Sequence, residues 1–241
     1  MKNNDSIKYD PNDFDNYASD YREIHTQNVQ KLSGKDSDYF SEYKIKELTT
    51  FIDVTKKLKI LDLGCGDGNS AGYIMKYYPE CDYYGIDISK ESINIAKQRF
   101  SSQNNANFKT YNGEKIPFEN DTFDVIFIAC VMHHIDSSNH KKIMRECRRV
   151  LKKGGKLVIF EHNPYNPLTI KTVNDCPFDE DAVLMSSKYL KKLVAYIGFK
   201  RVKVKYTIFV PRIGLLEKLV FIEKYLYGLP IGGQYYICAE K

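Results

Sequence analysis

The chain has 241 residues, 43% of them hydrophobic and 28% charged, with 14 Gly and 8 Pro, a composition that buries a sizeable core and excludes disordered, collagen-like and stapled mini-protein classes. Its 36 basic and 31 acidic side chains leave a formal charge of +5, too small an excess to point to a nucleic-acid partner. The six cysteines include no C-x-x-C pair and several sit in apolar runs, so neither a metal site nor a disulfide framework is expected. The polar N-terminus lacks a signal-like apolar segment, and the longest apolar run, Val125 to Met132, is too short to span a bilayer. A cytoplasmic protein without stable membrane insertion is expected.

From about residue 58, short β-rich runs alternate with amphipathic stretches, the pattern of a doubly wound α/β domain with helices on both faces of a parallel sheet. Residues 1–57 precede it, and Phe14, Tyr17, Tyr21, Tyr39 and Phe40 among polar neighbours mark this segment as a helical lid. Within 58–241, strands are expected at Lys59–Leu63, Asp82–Asp87, Asn107–Tyr111 and Phe123–Ala129. The last is nearly continuous apolar sequence, as a central strand buried on both faces requires. One helix follows Asn69 and ends before Pro79; the next shows Ile93, Ala96 and Phe100 on one face, Ser89 as N-cap and Glu91 in its first turn. Ile143, Met144, Cys147, Val150 and Leu151 form the apolar face of another, with Gly154-Gly155 ending it before strand five, Lys156–Phe160. Residues 163–184 then interrupt the alternation as a second lid. Ser186–Tyr196 reads as a helix, Phe199–Val210 alternates as a strand, and Gln234–Ala239 forms the last strand, seven in all.

The strongest chemical signal is Asp62-Leu63-Gly64-Cys65-Gly66-Asp67-Gly68-Asn69, between the first strand and its helix. Glycines there let backbone approach a ligand and leave amide groups open at a helix N-terminus. The spacing is G-x-G-x-G, with Asn69 where a dinucleotide fingerprint needs glycine. Asp87 ends the second strand nineteen residues after Gly68, where a carboxylate takes two hydrogen bonds from a ribose diol. Loop and carboxylate together imply a nucleoside ligand.

These residues resemble the class I S-adenosylmethionine-dependent methyltransferases, in the small-molecule and sugar O-methyltransferase group, from about Lys59 to the end of the chain. Ile60 to Gly68 looks like the family's first motif and Gly85 to Ser89 its second. Asn112 to Phe118 resembles the adenine-contacting segment, Phe123 to Ile126 the fourth strand, and Arg149 to Leu157 the lead into the fifth. The resemblance implies a Rossmann-like seven-stranded, mostly parallel sheet with an antiparallel last strand, and S-adenosylmethionine as cofactor with S-adenosylhomocysteine as product. Gly64 and Gly66 would pass the methionine part of the cofactor with Asp62 near its ammonium, and Asp87 would hold the ribose. Asn112 stands where the family usually has an Asp that accepts from the adenine amino group; an Asn oxygen accepts the same bond without charge. Gly113 would offer its amide to the ring, and Cys65, Ile88 and Cys130 would complete the cofactor contacts.

Met132-His133-His134-Ile135 follows strand four, and Glu161-His162-Asn163 ends strand five, both at the strand ends where the cofactor sits. A hydroxyl acceptor must be aligned with the methyl and must lose a proton, so His134 or His133 is the expected base and Glu161 its orienter. The alternative is that one ring packs on the cofactor while the other caps the following helix, and that Glu161 binds substrate or a backbone amide. Tyr17, Tyr21, His162 and Asn163 are candidates for holding the acceptor. The basic helix face, Lys141 through Lys153, reads as solvated. Leu215–Tyr227 reads as a surface helix, apolar enough for a membrane, a lipid-linked substrate or a second subunit, with packing against the N-terminal lid preferred.

The expected function is methyl transfer to a small-molecule acceptor, a hydroxyl of a sugar or other metabolite, by a monomer or homodimer. Quinone or lipid-precursor methylation, RNA methylation and a non-catalytic cofactor-binding module are the alternatives. Against RNA stands the absence of an Asn/Asp-Pro-Pro-aromatic tetrad after strand four, which reads Cys130-Val131-Met132-His133. No acidic cluster follows strand four, so metal-dependent catechol-type methylation is not expected either.

Overall fold

A computed structural model describes residues 21–241. Two helices, α1 (Tyr21–Ser33) and α2 (Ser37–Thr49), lead into a seven-stranded sheet. The strands are β1 (Lys59–Leu63), β2 (Asp82–Asp87), β3 (Ala106–Thr110), β4 (Phe123–Ala129), β5 (Leu151–His162), β6 (Lys200–Thr207) and β7 (Gln234–Glu240). They lie in the order β3-β2-β1-β4-β5-β7-β6. The first five pair in parallel, whereas β7 runs antiparallel between β5 and β6. This is the expected doubly wound topology with its reversed last strand, and the strand order reverses direction beside β1, where ligands of open α/β sheets bind.

The period-two alternation of the central strands divides the core into two layers. Ile126 and Ile128 of β4, with Leu157 and Ile159 of β5, face α5 (His140–Val150) and α7 (Ser187–Tyr196) through Met144, Cys147, Leu190 and Val194. Val125, Phe127, Val158 and Phe160 face the other way, toward α2, α3 (Asn69–Tyr77) and α4 (Lys90–Arg99), packing with Leu48, Ile74 and Ile93. The expected cap starts α4. Ser89 Oγ accepts from the Ser92 amide at 3.0 Å to cap α4, Glu91 sits in its first turn, and Lys97 and Arg99 in its last.

Three segments depart from expectation. Gly154-Gly155 does not end α5; the helix stops at Val150, and β5 begins at once with Leu151 opposite Phe123. The two glycines form a bulge inside the strand, Gly154 at φ +76°, and a Cβ on Gly155 would stand 2.9 Å from the Lys152 oxygen. The interruption after strand five is itself ordered: α6 (Pro167–Asn174), capped by Asn166 with Pro167 at its start, and a 3₁₀ turn at Pro177–Asp179. The Leu215–Tyr227 region forms 3₁₀ turns over Gly214–Tyr225 rather than an amphipathic helix, and Leu215, Phe221 and Tyr225 remain exposed instead of packing on α1 and α2.

Polar groups make the attachment in their place. Glu223 is buried and accepts from the amides of Phe209 and Val210, both at 2.8 Å, and from Arg212 at 2.7 and 2.9 Å. The Arg212 amide donates to the Ser33 carbonyl at 2.8 Å and its Nε to the Tyr39 hydroxyl at 2.9 Å, tying α1 and α2 to the C-terminal half. Tyr227 donates to Glu47 at 3.2 Å across the same junction. Removing one member of a buried ion pair leaves the other uncompensated, at about 3–5 kcal/mol. Glu223→Ala is expected to lower the unfolding free energy by that order in urea denaturation, whereas Glu217→Ala, whose exposed carboxylate meets Lys35 at 3.0 Å, is expected to change it by less than about 1 kcal/mol.

Candidate functional site

A cavity of about 710 Å³ opens at the carboxyl ends of the parallel strands, between the glycine loop and the segments around α1, α2 and α6. The glycine loop shapes its floor. Gly64, Gly66 and Gly68 hold φ of +77°, +53° and +80°, a region that side-chained residues rarely adopt. Gly64 also passes so close to the β4 loop that a Cβ would lie 2.4 Å from Val131 Cγ2, while Gly66 faces open space with nothing within 4 Å. Close approach at one glycine and an open cradle at the next leave room for a ligand along the loop.

Asp87 ties this loop to β2. Its Oδ2 accepts from the Gly66 amide at 2.8 Å and its Oδ1 from the Ser89 amide at 2.9 Å. Asp87 also lines the cavity, with its carboxylate at the end of β2 beside the glycine loop. Asp62, also in the lining, is buried and accepts from the Tyr83 hydroxyl at 2.8 Å. Burial pushes its carboxyl up to about 7, reinforced by the charge of Asp87 and opposed by the Tyr83 hydroxyl. Cys65, Ile88, Asn112, Gly113 and Cys130 complete the expected cofactor set, and all of them line the same cavity. Burial raises the thiols of Cys65 and Cys130, leaving both weak nucleophiles. Asn112 Oδ1 accepts from the amides of Glu114 and Lys115 at 3.0 and 3.3 Å. Its expected bond from adenine therefore requires this turn to open.

The histidines after β4 occupy a 3₁₀ turn, Met132–His134. Glu161, at the end of β5, accepts from the Met132 amide at 2.8 Å and meets His133 Nδ1 at 2.6 Å. Glu161 thus orients a histidine, as expected, but the one it orients is His133, which is buried and does not line the cavity. His133 lies between two carboxylates, with Asp179 Oδ1 3.6 Å from its Nε2. Burial works against its charge, yet the two carboxylates prevail and raise it to about 10. A ring protonated at neutral pH cannot serve as the base.

His134 and His162 do line the cavity. Burial, with the neighbouring His133 charge, lowers His134 to about 3 and His162 to about 4, so both rings are neutral. His134 Nε2 stands 3.4 Å from Asp179 Oδ1, and the histidines hold that carboxyl well below the usual range despite its burial. Asn163 is buried away from the cavity, its Nδ2 donating to the carbonyls of Pro230 and Gly232 at 3.0 and 2.7 Å. That commitment to backbone removes it from the acceptor candidates. Tyr17 lies outside the described residues; Tyr21 begins α1.

Two residues outside the motifs also stand at this site. Asp179 arrives from the 3₁₀ turn in the segment after β5, and Lys44, buried on α2, lines the cavity. A lysine on the buried face of a helix was the available signal for Lys44, since burial of that residue type calls for a reason.

The methyltransferase-domain family matches this chain over residues 61–159, which run from β1 through the body of β5. An uncharacterized protein of Methanocaldococcus jannaschii is 31% identical over 237 residues, covering 95% of this chain and 99% of that protein. The demethylmenaquinone methyltransferase of Thermotoga maritima is 34% identical over 108 residues, 45% of each chain. Its alignment, like that with a Bacillus subtilis methyltransferase, spans less than half of the relative's length. A phosphoethanolamine N-methyltransferase of Haemonchus contortus, solved with S-adenosyl-L-methionine, shares the fold at a TM-score of 0.64 and 17% identity, over 98% of this chain and 58% of that one.

The chain belongs to the class I S-adenosylmethionine-dependent methyltransferases. The glycine loop, the Asp87 carboxylate and the strand-end cavity fit that cofactor, with an open cradle at Gly66 and Asp87 in the same lining. Gly64→Ala meets both a positive φ and the Val131 contact; it is expected to weaken S-adenosylhomocysteine binding at least about tenfold in calorimetric titration, since the backbone must shift to relieve strain of about 1–3 kcal/mol.

Proposed function

We propose that this protein transfers the methyl group of S-adenosylmethionine to a hydroxyl of a small metabolite seated against the His134 wall of the cavity. The observation that carries the reading is the meeting, in one cavity, of a glycine loop braced by Asp87 and a neutral histidine backed by a carboxylate. The cofactor, when bound, supplies a methyl already activated on a sulfonium. The residues have three tasks: to bind the cofactor, to align the acceptor, and to remove its proton.

Asp87 would hold the ribose end, Gly64 and Gly66 would pass the methionine part, and Asp62 would face its ammonium. Bound there, the cofactor would supply the methyl to an acceptor oxygen held against His134, and the carbon–sulfur electron pair would stay with the sulfur. The hydroxyl proton passes to His134, whose imidazolium is stabilised by Asp179 beyond it. His133 stays protonated and serves as a fixed positive centre between Glu161 and Asp179. Exclusion of water falls to α1, α2 and α6, which contribute Val29, Phe40 and Leu168 to the cavity lining.

A second reading, an amphipathic acceptor such as a prenylated quinol, is favoured by one observation. Leu168 lines the cavity while half exposed, and Ile208, Phe209 and Pro211 continue the apolar lining beside it. Transfer of tritiated methyl from S-adenosylmethionine to nucleotide-linked sugars and to detergent-dispersed quinols separates the two. No binding of S-adenosylmethionine or S-adenosylhomocysteine would overturn the proposal as a whole.

His134→Gln is expected to leave S-adenosylhomocysteine affinity within about threefold and to lower turnover by about a hundredfold or more, the scale of general-base assistance. Unchanged turnover would remove His134 from proton transfer. The raised carboxyl of Asp62 sets a pH dependence: only its ionised form attracts an ammonium, so S-adenosylmethionine affinity should rise with pH up to about 7 and level off above. Asp62→Asn should abolish that slope in titrations across the range.

A further inference from the structure

We propose that His133, His134 and Asp179 form a binding site for one divalent transition-metal ion in the wall of the cofactor cavity. The inference deepens the proposed function, because the ion would lie where the acceptor's oxygen is placed.

The geometry points to an ion rather than to direct ion pairs. Nε2 of His133 and Nε2 of His134 stand 3.6 and 3.4 Å from the same oxygen, Asp179 Oδ1. Hydrogen bonds between such groups close to about 2.7–3.2 Å. Two ligand atoms bound at about 2.0–2.1 Å around a tetrahedral centre stand about 3.3–3.4 Å apart. The three groups offer one ligand atom each within 4.8 Å of one another.

An independent feature is the support behind His133. Metal-bound histidines commonly give their other ring nitrogen to a carboxylate, which fixes the tautomer and raises ligand basicity. Glu161 does this at 2.6 Å to Nδ1, and is itself fixed by the Met132 amide at 2.8 Å. With Nδ1–H held there, the lone pair of a neutral ring lies on Nε2, the atom turned toward Asp179. The ion takes the place otherwise held by an Nε2 proton, so binding releases protons. Charge agrees as well: a divalent cation with neutral imidazoles balances the carboxylates of Glu161 and Asp179.

The donor set selects the metal. Two imidazoles and one carboxylate favour zinc, iron(II) and their neighbours over magnesium and calcium, which take oxygen ligands. Three protein ligands are also the number that catalytic zinc sites supply while keeping a position open. His134 lines the cavity, so the open position faces the acceptor. There the ion would polarise an acceptor hydroxyl directly and replace His134 as the means of lowering its pKa. In that state both histidines act as ligands.

The test is calorimetric titration of chelator-stripped, reduced full-length protein with Zn²⁺ and with Mg²⁺, alongside S-adenosylhomocysteine on the same samples. The proposal expects about one equivalent of Zn²⁺ per chain and no Mg²⁺ binding. It expects affinity to fall about a hundredfold in Asp179→Asn and in His134→Gln, and about 10–100-fold in Glu161→Gln, as for loss of a carboxylate behind a ligand. Cobalt(II) should give visible d–d absorption without a thiolate charge-transfer band, which separates this site from the cysteines. Retained S-adenosylhomocysteine binding shows that each variant is folded, and the two ligand variants stand in for one another if one of them fails to fold. The metal site is overturned by absent Zn²⁺ binding in protein that binds S-adenosylhomocysteine, by unchanged affinity in both ligand variants, or by a thiolate band. Failure of the cofactor to bind instead overturns the proposed function, and the zinc titration reads independently of it.

Discussion

The bond between Glu161 and His133 sets the architecture of the site. One carboxylate, at the end of β5, takes the Met132 amide with one oxygen and the His133 ring with the other. It therefore fixes the backbone and a side chain of the turn that follows the neighbouring strand β4. Glu161 is in turn held by strand pairing, opposite Tyr235 of β7. A buried carboxylate is costly unless charge and hydrogen bonds compensate it, and here a protonated ring and an amide do so. The orientations of His134 and of the groups around Asp179 follow from that turn.

The cofactor side of the cavity is organised by a different economy. Its anionic groups, Asp62 and Asp87, are spaced by the glycine loop and differ in surroundings. Asp87 is held by two backbone amides, whereas Asp62 has the Tyr83 hydroxyl and deep burial. One is fixed in place by backbone donors, and the other is a carboxylate whose charge depends on what lies beside it. Residues of similar chemistry acquire distinct roles through solvation alone.

Much of this was legible in the sequence, because it rests on local periodicity. The nearly continuous apolar run Phe123–Ala129 placed the central strand, and the glycine spacing with Asp87 nineteen residues later placed the cofactor end. The histidine pair and Glu161 were found at strand ends, where the fold brings them together. Which histidine Glu161 reaches was not legible, since it depends on the direction of a three-residue turn. Asp179 was invisible for a related reason, since it comes from an insertion that no spacing links to His134, and Lys44 was marked only by its place on the buried face of a helix before the sheet. The 3₁₀ turns of Gly214–Tyr225 replaced an expected helix because the buried Glu223 must reach the amides of Phe209 and Val210, a long-range demand that composition does not express.

The close passage of Gly64 beneath Val131 joins the two halves of the site in a further sense. Position 64 belongs to the cofactor loop and position 131 directly precedes the histidine turn. A smaller residue at 131 would relieve the contact yet leave the positive φ at 64, so glycine is demanded twice over at one position while the other is constrained from above in size only. As the sequence drifts, these positions behave as one inherited character with unequal freedom. Changes that refit the acceptor side through residue 131 are thereby held to those that the cofactor loop tolerates.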